Sequence, residues 1–90
     1  MYNPFPKPDR DDPNLKIVIS WVQTMINSPS GLCFYDCLDK VKEYIEKKDV
    51  EMSLVAAHCT VNIINNQNIN ESEKIDIITG LNEQIQQITK

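Results

Sequence analysis

Apolar residues recur at intervals of three and four from residue 13 onward, in four runs separated by short polar breaks. The first run spans about 13–27. Leu15, Val18, Ile19, Val22, Met25 and Ile26 fall on one helical face, and Ile17 and Trp21 widen it on a flank. Asp12 precedes it as a capping residue, and Pro13 suits the first helical position, where a missing N–H costs nothing. Ser28-Pro29-Ser30-Gly31 interrupts the pattern and predicts a turn. The second run, about 32–48, places Phe34, Cys37, Leu38, Val41 and Ile45 on one stripe. Off that stripe, Asp36–Lys40 and Glu43–Lys47 are acid-first pairs four residues apart, the favourable order on a solvated helix. Lys47 and Lys48 complement the dipole at its C-terminal end, and Asp49 is placed to cap the next helix.

The third run, about 50–66, is apolar on two sides. Leu54, Ala57, His58, Val61 and Ile64 form one stripe; Met52, Val55, Ala56, Cys59 and Ile63 form another. Such a helix must be covered by several neighbours or by another subunit. Asn65-Asn66-Gln67-Asn68 ends it, and Asn70-Glu71-Ser72-Glu73 has the spacing of a capping box. A fourth helix then runs from about 71 to the C-terminus with Ile78, Leu81, Ile85 and Ile88 as its seam. Gly80 interrupts its interior at a cost of about 1 kcal/mol, which suggests close approach of a neighbouring helix.

Residues 1–12 behave differently. Pro4, Pro6 and Pro8 alternate with other residues, fixing φ repeatedly and removing amide donors, so this segment is predicted to be extended. Tyr2 and Phe5 give it anchors for packing over the bundle end or into a groove of a neighbouring subunit or partner. The predicted organisation is all-α: a small antiparallel four-helix bundle over 13–90, preceded by an extended Pro-rich arm over 1–12.

With 90 residues, 41% of them apolar, the chain has material for one core. No apolar stretch approaches the ~20 residues of a membrane-spanning helix. The sequence Met-Tyr-Asn-Pro-Phe-Pro-Lys-Pro lacks the apolar region of a secretory signal, so a cytoplasmic location is expected. Arg10 and eight lysines face thirteen acids, for a net charge of −4, which argues against a nucleic-acid surface. The negative charge is not one patch. The second helix interleaves Asp36, Asp39, Glu43 and Glu46 with Lys40, Lys42, Lys47 and Lys48. Three cysteines, Cys33, Cys37 and Cys59, cannot all pair, and reduced thiols are the expectation.

Chemistry-bearing motifs are sparse. Cys33, Cys37, His58 and Cys59 are the four side chains that could be ligands to a metal, yet His58 and Cys59 diverge by about 100° on a helix. No metal or other cofactor is expected. One Cys-x3-Cys stands where the small mitochondrial chaperones carry two, and Gly31 and Gly80 alone cannot build a phosphate loop. The chain is therefore not expected to be an enzyme. The stretch Ala56-Ala57-His58-Cys59-Thr60 resembles the surroundings of the phosphate-accepting histidine in histidine phosphotransfer domains, which are small four-helix bundles. That resemblance implies a phosphotransfer role for His58; the lysine and glycine that the family places three and four residues later are Val61 and Asn62 here. Ser28-Pro29-Ser30-Gly31 followed by Tyr35 resembles a segment of the nuclease-bacteriocin immunity proteins, small acidic helical inhibitors, and implies a basic partner.

The sequence thus points to a small acidic helical interaction module that occupies a partner's surface, as an inhibitor, an immunity or antitoxin-like protein, or an adaptor. Asp36, Asp39, Glu43 and Glu46 are the candidate contacts to a basic protein, with Trp21, Phe34 and Tyr35 as aromatic anchors. The alternatives are a phosphotransfer-like module using His58 and a structural homo-oligomer formed through the third or fourth helix. Nucleic acid and membrane are not expected partners.

Overall fold

Each helix start for which the sequence supplies a cap uses it. The computed structural model describes residues 2–27 and 34–89. They form α1 (Pro13–Ile26), α2 (Phe34–Glu46), α3 (Val50–Asn65) and α4 (Glu71–Thr89), with no strand among the described residues. Asp12 Oδ1 accepts from the Asn14 N–H at 2.9 Å, Asp49 Oδ1 from Met52 N–H at 3.2 Å, and Asn70 Oδ1 from Ser72 N–H at 2.9 Å. Each satisfies an amide that the helix itself leaves orphaned. The predicted turn at Ser28–Gly31, and Cys33 with it, lie outside the described residues.

The joint between α2 and α3 is set by backbone geometry. Lys48 adopts φ 59°, the left-handed region, and Asp49 N–H reaches back to Tyr44 O at 3.0 Å while Lys48 N–H reaches Ile45 O at 3.0 Å. This is the double closure of a Schellman end, usually built on glycine. Asp49 then caps α3 at once, so the chain reverses within three residues and lays α2 against α3. At the other end of α3, the buried ammonium of Lys74 donates to Asn65 O at 3.3 Å and pairs with Glu71 at 3.4 Å. A cation on the last carbonyls of a helix opposes its dipole favourably, and here it also ties the start of α4 to the end of α3.

Helix α3 is the centre of the molecule and packs on α1, α2 and α4, most extensively on α2. Ser53, Ala56, Ala57 and Thr60 are completely enclosed, and their small side chains permit neighbours to come close. Val61, Ile64, Val41, Ile78, Leu81 and Ile85 complete the core. The two apolar stripes are therefore largely covered within the chain, because the arm supplies a further neighbour beside α1, α2 and α4. Phe5 is 4% exposed and belongs to the core cluster. The arm follows α3: Tyr2 O accepts from Asn65 Nδ2 at 3.2 Å, Asn3 meets His58 and Asn62, and Pro6, Lys7 and Pro8 line one recess with Glu51, Leu54 and Val55. The radius of gyration, 12.5 Å, is close to the ~12 Å of a folded 90-residue chain, as a docked arm requires.

Gly80 corrects an expectation. A Cβ built on it meets nothing within 4 Å, so no helix approaches closely enough to require glycine there. No helix is long and apolar enough to cross a membrane among the described residues.

Candidate partner-binding groove

Helices α1 and α2 both rest on α3 but part from each other on the outside. The result is an open groove of about 660 Å³, lined by Ile17, Trp21, Met25 and Tyr44, with Lys16, Ser20, Thr24 and Lys40 along its edges. Ile17 is 52% exposed although it continues the apolar flank of α1, because that flank turns toward the groove and away from α3. Trp21 packs partly against the core, and its indole N–H is enclosed without an acceptor among the described residues. Such an orphaned donor costs about 1–3 kcal/mol.

Toward the start of α2 the groove runs into a second recess of about 390 Å³, bounded by Met25, Asp36, Asp39, Lys40 and Glu43. Met25 and Lys40 are shared by both, so apolar and acidic surfaces are continuous. Cys37, buried, places its Sγ 4.0 Å from Met25 Sδ, a contact between α2 and α1. Lys40 pairs with Glu43 at 3.6 Å, three residues on, rather than with the expected Asp36. Both partners are well exposed, so this pair contributes little to stability and is free to be exchanged.

The sequence-derived candidates therefore divide. Asp36, Asp39 and Glu43 come together around the recess; Glu46 is exposed on α2 but does not line it. Trp21 joins the apolar groove. Phe34 packs against the core and its ring lies beside that of Tyr35, centroids 4.2 Å apart and planes tilted by 31°. Tyr35 is 61% exposed and lines a different furrow, between α2 and α4, with Lys42, Asp76 and Gln84. Tyr44 and Lys16 line the groove without being among the sequence-derived candidates. Tyr44 stands three residues beyond Val41, so the helical period could have found it; nothing local marks Lys16.

His58 lies on the other side of α3, half-buried under the arm. Its Nδ1 lies 3.2 Å from both Phe5 O and Asn3 Nδ2, and its Nε2 lies 3.4 Å from Asn62 Nδ2, so the tautomer decides whether Nδ1 donates to the carbonyl or accepts from the amide. Cys59 points elsewhere, into a small apolar furrow of about 210 Å³ with Val18, Ile19, Val22 and Ile63. Burial pushes its thiol above the usual range, which leaves little reactive thiolate at neutral pH. No three His, Cys, Asp or Glu side chains among the described residues are grouped to hold a metal ion. Comparison with family models, with curated proteins and with solved structures returned no match for this chain.

Proposed function

We propose that this protein is a cytoplasmic, non-enzymatic interaction module whose α1–α2 groove receives a basic, amphipathic segment of another protein. The observation that carries the reading is the continuity of the apolar floor of Ile17, Trp21, Met25 and Tyr44 with the recess bounded by Asp36, Asp39 and Glu43. Apolar side chains of a helix laid in the groove would sit against Trp21 and Met25. Lysine or arginine at one end would meet the three carboxylates, displacing Lys40 from Glu43. Charge of that kind selects the partner and speeds encounter, while the enclosed aromatic contact supplies most of the affinity. Occupying a partner's surface in this way suits an inhibitor, an immunity or antitoxin-like protein, or an adaptor.

Photo-crosslinking in the cells that make the protein tests this. Crosslinkers at the groove positions Ser20 and Thr24 should capture a partner that one at Gln86, exposed on α4, does not. Binding by the purified pair should weaken with added salt and with Asp36→Lys, Asp39→Lys or Glu43→Lys. Capture equal at all three positions, or affinity indifferent to salt and to charge reversal, sinks the proposal.

A further inference from the structure

The arm is held as a ligand is held. Asn3 Oδ1 accepts the Phe5 N–H at 3.1 Å, closing a tight Asn-Pro-Phe turn in which Pro4 contributes fixed φ and no donor. The other end of the same amide, Nδ2, donates to Asn62 Oδ1 at 3.1 Å and to His58 O at 3.3 Å. His58 Nδ1 lies 3.2 Å from both Phe5 O and Asn3 Nδ2, and Asn65 Nδ2 donates to Tyr2 O, so polar groups of α3 meet the arm on both sides of the turn. Phe5 fills an enclosed apolar site at the centre of these contacts. Side chain, turn geometry and flanking carbonyls are all recognised. That exceeds what merely covering an apolar helix face demands, since an apolar segment without the asparagine would cover it equally well.

We infer that the α3 surface formed by His58, Asn62 and Asn65, with the enclosed apolar site that Phe5 fills, is a recognition site for an Asn-Pro-Phe turn. The chain's own residues 3–5 fill it in cis, and another polypeptide presenting the same turn takes it over in trans. The prolines at 4, 6 and 8 keep the free arm extended, so little conformational entropy is lost on docking. The short link through Asp9–Asp12 to α1 keeps the arm at an effective concentration of about millimolar, which a competing turn must overcome. The arm is thereby an internal competitor that sets the threshold for the external ligand. This site is on the arm-covered side of α3 and is independent of the α1–α2 groove.

The test uses the full chain carrying Phe5→Ala, checked for helicity by circular dichroism, and a fluorescein-labelled peptide Tyr-Asn-Pro-Phe-Pro-Lys-Pro. Fluorescence anisotropy should show the variant binding the peptide at least ~10-fold more tightly than the wild type, whose own arm competes. Replacing Asn or Phe of the peptide by Ala should abolish binding, and Asn62→Ala added to the variant should weaken it ~10-fold. One peptide per monomer by light scattering supports the proposal. A helical Phe5→Ala chain that ignores the peptide, or that binds the Ala-substituted peptides equally well, overturns it. Peptide bound only by a dimer of variant chains also overturns it, because the site would then lie between copies. Should Phe5→Ala fail to fold, the wild-type chain serves instead: excess peptide should speed hydrogen exchange at the Phe5 amide, which Asn3 Oδ1 holds in the docked arm, without affecting α3, and an unchanged Phe5 rate refutes the exchange.

Discussion

Gly80→Ala isolates one physical quantity, the backbone cost of glycine in a helix interior. Gly80 stands midway along α4, and glycine at such a position costs about 0.8–1 kcal/mol relative to alanine. Part of that cost is conformational freedom in the unfolded chain and does not depend on native contacts. Whether the gain is realised depends on the space for a methyl group, and here a Cβ meets nothing within 4 Å. The substitution should therefore raise stability by about 0.8–1 kcal/mol. For a chain of 90 residues, whose total stability is expected to be roughly 5–13 kcal/mol, that is a substantial fraction. It corresponds to a melting temperature about 4–8 °C higher. Urea denaturation followed by far-ultraviolet circular dichroism should shift to a higher midpoint with an unchanged slope. Gly80→Val should recover less, because a β-branched side chain loses rotamer freedom against the preceding turn. No gain with alanine, or a loss, would refute the reasoning and mean that a neighbour in the α2–α4 furrow closes on this position.

The converse substitution, Lys48→Gly, should also stabilise, by about 0.5–1 kcal/mol, because Lys48 holds the left-handed conformation that glycine tolerates without strain; the same urea titration reads it. Asp12→Ala removes the acceptor for the Asn14 amide and should cost about 1 kcal/mol, with faster hydrogen exchange confined to the first turn of α1. Cys59 supplies a pH test. Its thiol is raised by burial, so the folded chain keeps that proton to higher pH than the unfolded chain does. The associated stability is complete below the ordinary thiol range and is lost as pH rises through the folded value. Wild type should therefore lose more stability than Cys59→Ala between pH 7 and pH 10 in parallel denaturant titrations, and equal losses would contradict the assignment.

Much of the local structure was legible in the sequence. The four helices fall within a few residues of the apolar runs, and Asp12, Asp49 and Asn70 cap where their spacing says they should. The acidic candidates Asp36, Asp39 and Glu43 were also readable as one set, since three- and four-residue separations place side chains on one side of a helix. The lysine partner was not: two carboxylates lie within reach of Lys40, and a solvated pair has almost no energy with which to choose.

Local interactions of this kind depend on residues a turn apart, which is why the sequence by itself determined the elements, their caps and the all-α class. The arrangement of those elements lies beyond that range. The apolar flank of α1 around Ile17 faces an open groove because α1 and α2 diverge over α3, a matter of interhelical geometry that no window of the sequence contains. Gly80 looked like a close-approach position only until the distance to its neighbours was known. Most of all, the two apolar stripes of α3 read as surface that needs several neighbours or another subunit, and the tertiary structure places the chain's own arm among those neighbours. Asn3 reaches across 55 residues to His58 and 59 to Asn62, and Phe5 enters the core beside them. Such contacts depend on shape and burial in the assembled fold, and only the fold brings them together.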